Sequence, residues 1–268
     1  MQLRLVLFDM DGTLTEPRQK INSKTVNALI SLQNAGYEIG IVSGSDMGYI
    51  IEQCNLLFGI NSFDYSKVHW LPCNGTKYYM YSENGTKKTI YENDMIEAIG
   101  KSTYRKLVSA CIGIQNHIVE STDCPLTGLF YDYRGSMLNW CPIGRLASKE
   151  DREAWLKIDK DNNIRNAWIS HLKIILNQYM INNLSIKLGG DTSFDIYPKG
   201  WDKTFCLRNF KDYHEIIFVG DRCEKLGNDY EIYENLKIKK NGYAYKTNSP
   251  DNTIAIMKKI IKEKQNER

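Results

Sequence analysis

Residues Leu3 to Thr13 read LRLVLFDMDGT, and this stretch decides the fold. The largely apolar part, Leu3 to Phe8, is typical of a central parallel strand that is buried on both faces. Asp9 and Asp11 follow at once, and residues two apart on an extended chain point to the same side. Because open parallel sheets place their ligands at the carboxyl ends of their strands, the two carboxylates indicate a site at this edge.

The segments that follow repeat the same arrangement. An apolar helix pattern ends at Gly36, a second apolar strand runs from Ile39 to Val42, and another helix comes after it. Near the end of the chain, Ile216 to Val219 form a further apolar strand that leads into Asp221. Strands that alternate with helices predict an α/β fold with a doubly wound parallel sheet.

The middle of the chain has a different pattern. Segments of alternating polarity, such as Tyr78 to Tyr81 and Leu129 to Tyr133, are separated by helical stretches. Strand pairs with helices to one side are typical of an α+β domain. We therefore predict a core made of residues 1–84 and 199–268, interrupted by an inserted α+β cap domain made of residues 85–198.

Composition narrows the function classes. The chain has 268 residues and a formal net charge of +3, and it has no dense Lys/Arg block that would favour nucleic acid. No run approaches the roughly 20 apolar residues that a membrane span needs, and no signal pattern precedes Asp9. Seven cysteines without a CxxC pair favour reduced thiols. We expect a cytoplasmic protein with neither a nucleic-acid nor a membrane partner.

Asp9 and Asp11 are suited to phosphoryl transfer. One carboxylate can attack a phosphoryl group and form an aspartyl phosphate. The second can protonate the leaving oxygen and later deprotonate the acceptor hydroxyl. A hard cation such as Mg²⁺ would offset the repulsion between carboxylates and a phosphate dianion, with Asp9, Asp221 and the main-chain carbonyl of Asp11 as candidate ligands. The alternative interpretation is a turn at Asp9 and Asp11 and a helix cap at Asp221.

The inserted segment contains three arginines close together in the sequence. Arg134 ends a predicted strand, and Arg145 and Arg152 follow within a short stretch. Because a guanidinium group can bind phosphate through two hydrogen bonds, these side chains suit a phosphate ligand, although a surface ion pair is the alternative for each. Ser193 and Asp195 alternate on a predicted strand, so they would present a hydroxyl and a carboxylate on the same side of that strand.

Several runs resemble known families. Phe8 to Thr15 resembles the first motif of the haloacid dehalogenase superfamily, and Val219 to Asp229 resembles its fourth. Longer runs resemble the eukaryotic-type phosphomannomutases; they are Pro17 to Lys20, Tyr133 to Asn139 with Pro142 to Arg145, and Gly189 to Asp195 with Gly200 to Lys203. The resemblance implies a core of the haloacid dehalogenase type with an inserted cap that binds the distal sugar phosphate.

The matching motifs imply a role for individual residues of this chain. The resemblance implies that Asp9 is the nucleophile, Asp11 the general acid and base, and Lys203 the cation that neutralises the phosphate. It implies that Asp221 binds the metal with support from Asp229. The implied substrate-binding residues are Arg18, Ser45 or its neighbour Ser43, Arg134, Arg145, Arg152, Ser193 and Asp195.

The implied activity is that of an isomerase that interconverts mannose 6-phosphate and mannose 1-phosphate for GDP-mannose synthesis. It would require Mg²⁺, a hexose 1,6-bisphosphate activator and a homodimer formed through the cap. The alternatives are a sugar-phosphate phosphatase of the same superfamily, a phosphoglucomutase, and a catalytically idle sugar-phosphate binder. Asn235 stands where the family usually has an aspartate near a peripheral metal site, so the sequence leaves that second site open.

Overall fold

The computed structural model describes residues 2–266. Its strands are β1 (Arg4–Phe8), β2 (Glu38–Val42), β3 (Val68–Leu71), β4 (Lys77–Tyr81), β5 (Lys87–Glu92), β6 (Tyr131–Tyr133), β7 (Leu138–Trp140), β8 (Leu184–Gly189), β9 (Ser193–Pro198), β10 (Glu215–Gly220) and β11 (Gly242–Lys246). Its helices are α1 (Ser23–Asn34), α2 (Met47–Cys54), the short, distorted α3 (Pro72–Gly75), α4 (Met95–Ile99), α5 (Lys101–Ser121), α6 (Lys149–Asn162), α7 (Ile164–Gln178), α8 (Tyr230–Ile238) and α9 (Pro250–Asn266).

The chain divides into two compact units. The core unit runs to Glu92 and resumes at Trp201, and the inserted unit runs from Asn93 to Gly200. The first boundary lies after residue 92 and not after residue 84, because β5 pairs with β4 in the sheet of the core unit. The second lies two residues after the predicted one at residue 198. Its sequence, KKTIYE, is mostly exposed and shows no apolar pattern that would have indicated this pairing.

The core unit contains a seven-stranded sheet in the order β11-β10-β1-β2-β3-β4-β5. Strand β1 lies parallel between β10 and β2, and β3 and β11 are also parallel to their inner neighbours, whereas β4 and β5 are antiparallel. Val6 and Phe8 join one apolar cluster, and Leu5 and Leu7 join a second. Both faces of β1 are therefore covered, as the largely apolar run predicted.

The inserted unit contains a four-stranded antiparallel sheet in the order β6-β7-β9-β8. Trp140 of β7 and Phe194 of β9 are paired across the ladder, with ring centroids 4.8 Å apart. Trp140 donates to Gln115 of α5 at 2.8 Å, and Phe194 lies near Trp168 of α7. Both helices thus pack on one face of this sheet, which confirms an α+β inserted unit. No helix within residues 2–266 has the length and apolar character to cross a membrane.

A strained turn follows β3 and holds the loop after β2. Cys73, Asn74 and Gly75 all have positive φ, at 50°, 63° and 76°. The main-chain N–H of Cys73 donates to the carbonyl of Ser45 at 2.9 Å, and that of Asn74 donates to the carbonyl of Ser43 at 2.8 Å. The turn therefore fixes the backbone of the loop at the carboxyl end of β2.

Candidate active site

Asp9 lies at the centre of the candidate site in the core unit. Its main-chain N–H donates to the carbonyl of Val219 at 3.0 Å, which ties the end of β1 to β10. The Nζ of Lys203 contacts one Asp9 oxygen and lies 2.6 Å from Oδ1 of Asp229. Lys203 and Asp229 are fully buried and Asp9 is 5% exposed. Residues from both ends of the chain thus form one buried ion-pair network.

Three carboxylates are placed to hold a metal ion. Asp9, Asp221 and Asp229 each offer an oxygen, and these oxygens all lie within 4.8 Å of one another. Oδ1 of Asp221 is buried without a hydrogen-bond partner among the described residues, as expected of an atom left for a ligand. A Cβ on Gly12 would lie 2.4 Å from Oδ2 of Asp221, so the turn after β1 needs glycine to let this carboxylate approach.

The charges of this group favour a divalent cation. Three carboxylates face the ammonium group of Lys203 and the guanidinium group of Arg222, which lies 3.8 Å from Asp221, so negative charge remains in excess. Hard cations prefer such oxygen ligands. Burial raises the pKa of Asp9 well above its usual value; Lys203 opposes this and Asp229 adds to it. Burial, and then Asp229, raise the pKa of Asp221 to about 6. Burial lowers the pKa of Lys203, but Asp229 and Asp9 raise it more, so this side chain stays charged.

The Asp11 side chain has hydrogen-bond partners of its own. Its Oδ1 accepts hydrogen bonds from the main-chain N–H of Arg18 at 3.1 Å and from the hydroxyl of Tyr49 at 3.0 Å. Asp11 is not in the group of carboxylates that could share a metal ion. The sequence predicts that Asp11 binds the metal with its main-chain carbonyl oxygen, and this stays a prediction.

Ser43 and Ser45 lie in the loop after β2, next to β1 in the sheet. Ser43 is 3% exposed, and its hydroxyl accepts from the main-chain N–H of Ser45 at 3.1 Å. Ser45 is more exposed than Ser43. The buried hydroxyl therefore orders the loop, which leaves Ser45 as the better placed of the two to meet a ligand.

The predicted residues of the inserted unit lie on a polar face of its sheet. Asp132, Asn139 and Asp195 are paired in register across β6, β7 and β9, and each is adjacent in sequence to a residue on the helix-covered face. Because successive side chains alternate between the faces of a strand, all three lie opposite the helices. Asp132 pairs with Arg134 at 3.0 Å and with Arg145 at 3.7 Å.

Asn139 connects the arginines to the predicted sugar-binding pair. Its Oδ1 accepts from Arg145 at 2.8 Å, and its Nδ2 donates to Asp195 at 2.7 Å and to Ser193 at 3.0 Å. Arg152 donates to the main-chain carbonyl of Arg145 at 2.7 Å. The structure therefore brings Arg134, Arg145, Arg152, Ser193 and Asp195 together.

Three contributing residues were missed in the sequence: Tyr49, Asp132 and Asn139. Asn139 belongs to a run that resembles the phosphomannomutases, so this motif could have indicated it. Asp132 is recognised only from the register of β6 with β7. Tyr49 is recognised only from its hydrogen bond to Asp11, which lies 38 residues away in the chain.

Solved structures define the class of the fold. The chain is similar to N-terminally truncated IMP-nucleotidase from Plasmodium falciparum, with a TM-score of 0.66 and 16% identity over 97% of this chain and 70% of that one. It is also similar to trehalose-6-phosphate phosphatase from Aspergillus fumigatus, with a TM-score of 0.54 and 14% identity over 98% and 93% of the two chains. At these identities the likeness shows the fold alone, which is of the haloacid dehalogenase type.

Sequence comparison identifies the family. The family model described as eukaryotic phosphomannomutase matches residues 26–263. Phosphomannomutase from Dendrobium officinale is 37% identical over 255 residues, which is 93% of this chain and 90% of the relative. Those from Arabidopsis thaliana and Schizosaccharomyces pombe are each 34% identical and cover 96% of this chain, and 96% and 94% of their own lengths. The chain belongs to the eukaryotic phosphomannomutase family, which confirms the resemblance of its motifs.

The raised pKa of Asp221 generates a prediction about pH and Mg²⁺. With a pKa of about 6 when folded and about 4 when unfolded, Asp221 holds a proton in the folded state that the unfolded chain releases. The free energy of unfolding without metal should therefore fall as the pH rises from about 4 to about 6. Mg²⁺ should restore stability above that range if these carboxylates hold it, because a cation at this site would bind only the folded state.

Thermal unfolding in a chelator and in Mg²⁺, across this pH range, measures the effect. Asp221→Asn should flatten the decline and reduce the stabilisation by Mg²⁺, whereas Asp212→Asn, at an exposed carboxylate, should behave as the unchanged protein. An unaltered Mg²⁺ response in Asp221→Asn would exclude this group as the metal site.

The position of Asn139 generates a prediction about ligand affinity. Asn139→Ala removes the amide that joins Arg145 to Asp195, so the affinity for mannose 1-phosphate should fall about 10-fold or more. Gln115→Ala is the matched control, because this buried amide joins Trp140 and Pro142 in the same unit. Titration calorimetry measures both; an equal loss of affinity in the two variants would show only general destabilisation.

Proposed function

We propose that this chain is a Mg²⁺-dependent phosphomannomutase that interconverts mannose 6-phosphate and mannose 1-phosphate. Membership of the family supports the reaction class, an isomerisation by phosphoryl transfer. The structural observation that carries the proposal is the buried group in which Lys203 contacts Asp9 and Asp229, with Asp221 beside them. A nucleophilic carboxylate, a fixed cation and carboxylate oxygens that can bind a metal ion are what a covalent phosphoryl-transfer site requires.

In the proposed reaction, an Asp9 oxygen attacks the phosphorus of a hexose 1,6-bisphosphate, and the bond between phosphorus and the sugar oxygen breaks. Asp11 gives its proton to that leaving oxygen. In the return step, Asp11 removes a proton from a hydroxyl at C1 or C6 of a monophosphate, and the resulting oxygen takes the phosphoryl group from Asp9. Lys203 balances the negative charge on Asp9 and on the phosphate throughout.

Asp9, Asp221 and Asp229 would hold Mg²⁺, which would supply positive charge beside the phosphoryl oxygens when bound. Ser45 would donate to a phosphoryl oxygen, and Arg18 would contact the sugar phosphate, as the family's motifs imply. The raised pKa of Asp9 supports the need for Mg²⁺, because burial disfavours the ionised form of this nucleophile and a nearby cation would favour it.

The inserted unit would bind the end of the sugar that is not reacting. Arg134, Arg145 and Arg152 would take the distal phosphate, and Ser193 and Asp195 the sugar hydroxyls. Because the bisphosphate turns round between the two steps, the same guanidinium groups would accept the C1 and the C6 phosphate. The network through Asp132 and Asn139 supports this proposal, because it presents these side chains on one face of a sheet.

The principal rival activity is that of a sugar-phosphate phosphatase, in which water rather than a sugar takes the phosphoryl group from Asp9. The two solved structures described above are of a nucleotidase and a phosphatase, so the fold serves such chemistry. Phosphoglucomutase activity is the second candidate, because mannose and glucose phosphates differ only at C2. Phosphomannomutase is preferred, since the relatives that match nearly the whole chain carry that name.

We also propose a cytoplasmic enzyme whose product serves the synthesis of GDP-mannose. Its active form would be a homodimer built through the inserted unit. Ile112 and Val119 of α5 support this, because they lie seven residues apart on one helix face and are 53% and 44% exposed. Sedimentation velocity of the full chain at micromolar concentration should show a dimer, and Ile112→Glu should weaken it; a monomeric unchanged protein would refute this.

The proposed activity is tested with mannose 1-phosphate and a catalytic amount of mannose 1,6-bisphosphate, followed by ³¹P NMR. Mannose 6-phosphate should accumulate only with Mg²⁺ and the bisphosphate. Asp9→Asn should lower turnover on the order of 10⁴-fold, because it removes the covalent nucleophile, and Asp212→Asn should leave it unchanged.

Each rival predicts a different result in this assay. Phosphate release that exceeds mannose 6-phosphate formation would establish a phosphatase. Faster conversion of glucose 1-phosphate than of mannose 1-phosphate would establish a phosphoglucomutase. Binding of the sugar phosphate without either product would establish a binder, and full turnover by Asp9→Asn would exclude the aspartyl phosphate.

A further inference from the structure

The hydroxyl of Tyr49 in α2 lies beside the Asp11 carboxylate in the core unit. It donates to Oδ1 of Asp11 at 3.0 Å, and the main-chain N–H of Arg18 donates to the same oxygen at 3.1 Å. Within residues 2–266, no hydrogen bond to Oδ2 of Asp11 accompanies these two. The carboxylate is therefore held by one oxygen and presents the other.

We propose that Tyr49 is a positioning residue for the phosphoryl transfer, which fixes the Asp11 carboxylate so that Oδ2 exchanges the proton with the sugar oxygen. This inference rests on the proposed function, in which Asp11 is the general acid and base. It adds a residue to that site and assigns the proton transfer to one atom. Tyr49 itself touches neither the sugar nor the phosphate in this proposal.

Tyr49 is itself firmly placed. Asp46 caps the first turn of α2 by accepting a hydrogen bond from the main-chain N–H of Tyr49 at 2.8 Å. Met47 and Ile50, on either side of it in the helix, are buried in the apolar cluster of the core unit. The tyrosine hydroxyl is thus held by a capped and packed helix, so it can restrain a side chain that belongs to another segment.

The second donor could not restrain Asp11 alone. Arg18 lies in an exposed stretch and has a φ of 62°, and it supplies only a main-chain N–H. Donors from two separate elements that meet on one oxygen limit rotation of the carboxylate, whereas one donor leaves it free to swing. General acid catalysis depends on this placement, because the proton must lie within hydrogen-bond reach of the leaving oxygen.

Tyr49→Phe tests the inference, since it deletes the hydroxyl and keeps the ring. We expect kcat for mannose 1-phosphate conversion to fall about 10-fold or more, because general acid–base catalysis contributes about 10²–10⁴-fold and is only partly lost. KM should stay within about two-fold, because Tyr49 does not bind the substrate. The affinity for beryllium fluoride with Mg²⁺ should also be unchanged, since this mimic of a phosphoryl group on Asp9 requires no proton transfer.

Tyr79→Phe is the matched control. It removes a tyrosine hydroxyl that donates to a carboxylate in the same unit, Glu92, at 2.6 Å, and it should keep the kcat of the unchanged protein. A kcat for Tyr49→Phe equal to that of the control would overturn the inference. A parallel loss of kcat and of beryllium fluoride affinity would also overturn it, because the damage would then lie at Asp9. Failure of the unchanged protein to form mannose 6-phosphate would instead reject the proposed function.

Discussion

The buried ammonium group of Lys203 is the contact on which the site of the core unit depends. It is fully buried and meets Asp9, 194 residues away in the chain, and Asp229. Carboxylates removed from water are strongly destabilising unless they are paired, and here three of them lie within 4.8 Å of one another. The parallel pairing of β1 with β10 brings Asp9 close to Asp221 and Asp229, and the positive charge of Lys203 offsets the repulsion between these carboxylates. The carboxylate oxygens of this group are of the kind that a hard divalent cation binds.

In the inserted unit, the alternation of side chains along β7 and β9 places polar residues on one face of the sheet and aromatic residues on the other. Trp140 and Phe194 face the helices, and their sequence neighbours Asn139 and Asp195 face the other way. A shift of one residue in this pairing would bury the polar row and expose the aromatic pair, so the apolar packing fixes the register of the polar face. The positions of the proposed substrate-binding groups therefore depend on the hydrophobic core behind them.

The sequence predicts those features that are local or repeated. The run into Asp9 is apolar on both faces, so its burial in a parallel sheet could be predicted, and the motif that contains Lys203 placed this residue at the site. Strand β5 could not be predicted, because an exposed edge strand needs no apolar pattern. The contact between Tyr49 and Asp11 escaped prediction for a related reason: a hydroxyl that reaches another loop leaves no periodic signal.

The balance of charge in the inserted unit suits the proposed isomerisation better than a tight anion site would. Arg134 and Arg145 share the Asp132 carboxylate, and Asn139 links Arg145 to Asp195, so the guanidinium groups are oriented and partly neutralised before any phosphate arrives. Such a site gives up some affinity, since the phosphate must compete with fixed carboxylates. The bisphosphate has to leave its first orientation and bind again in the second. A reduced affinity for phosphate allows this, because an uncompensated arginine cluster would hold the bisphosphate after the first transfer. The same carboxylates that weaken binding thus favour turnover.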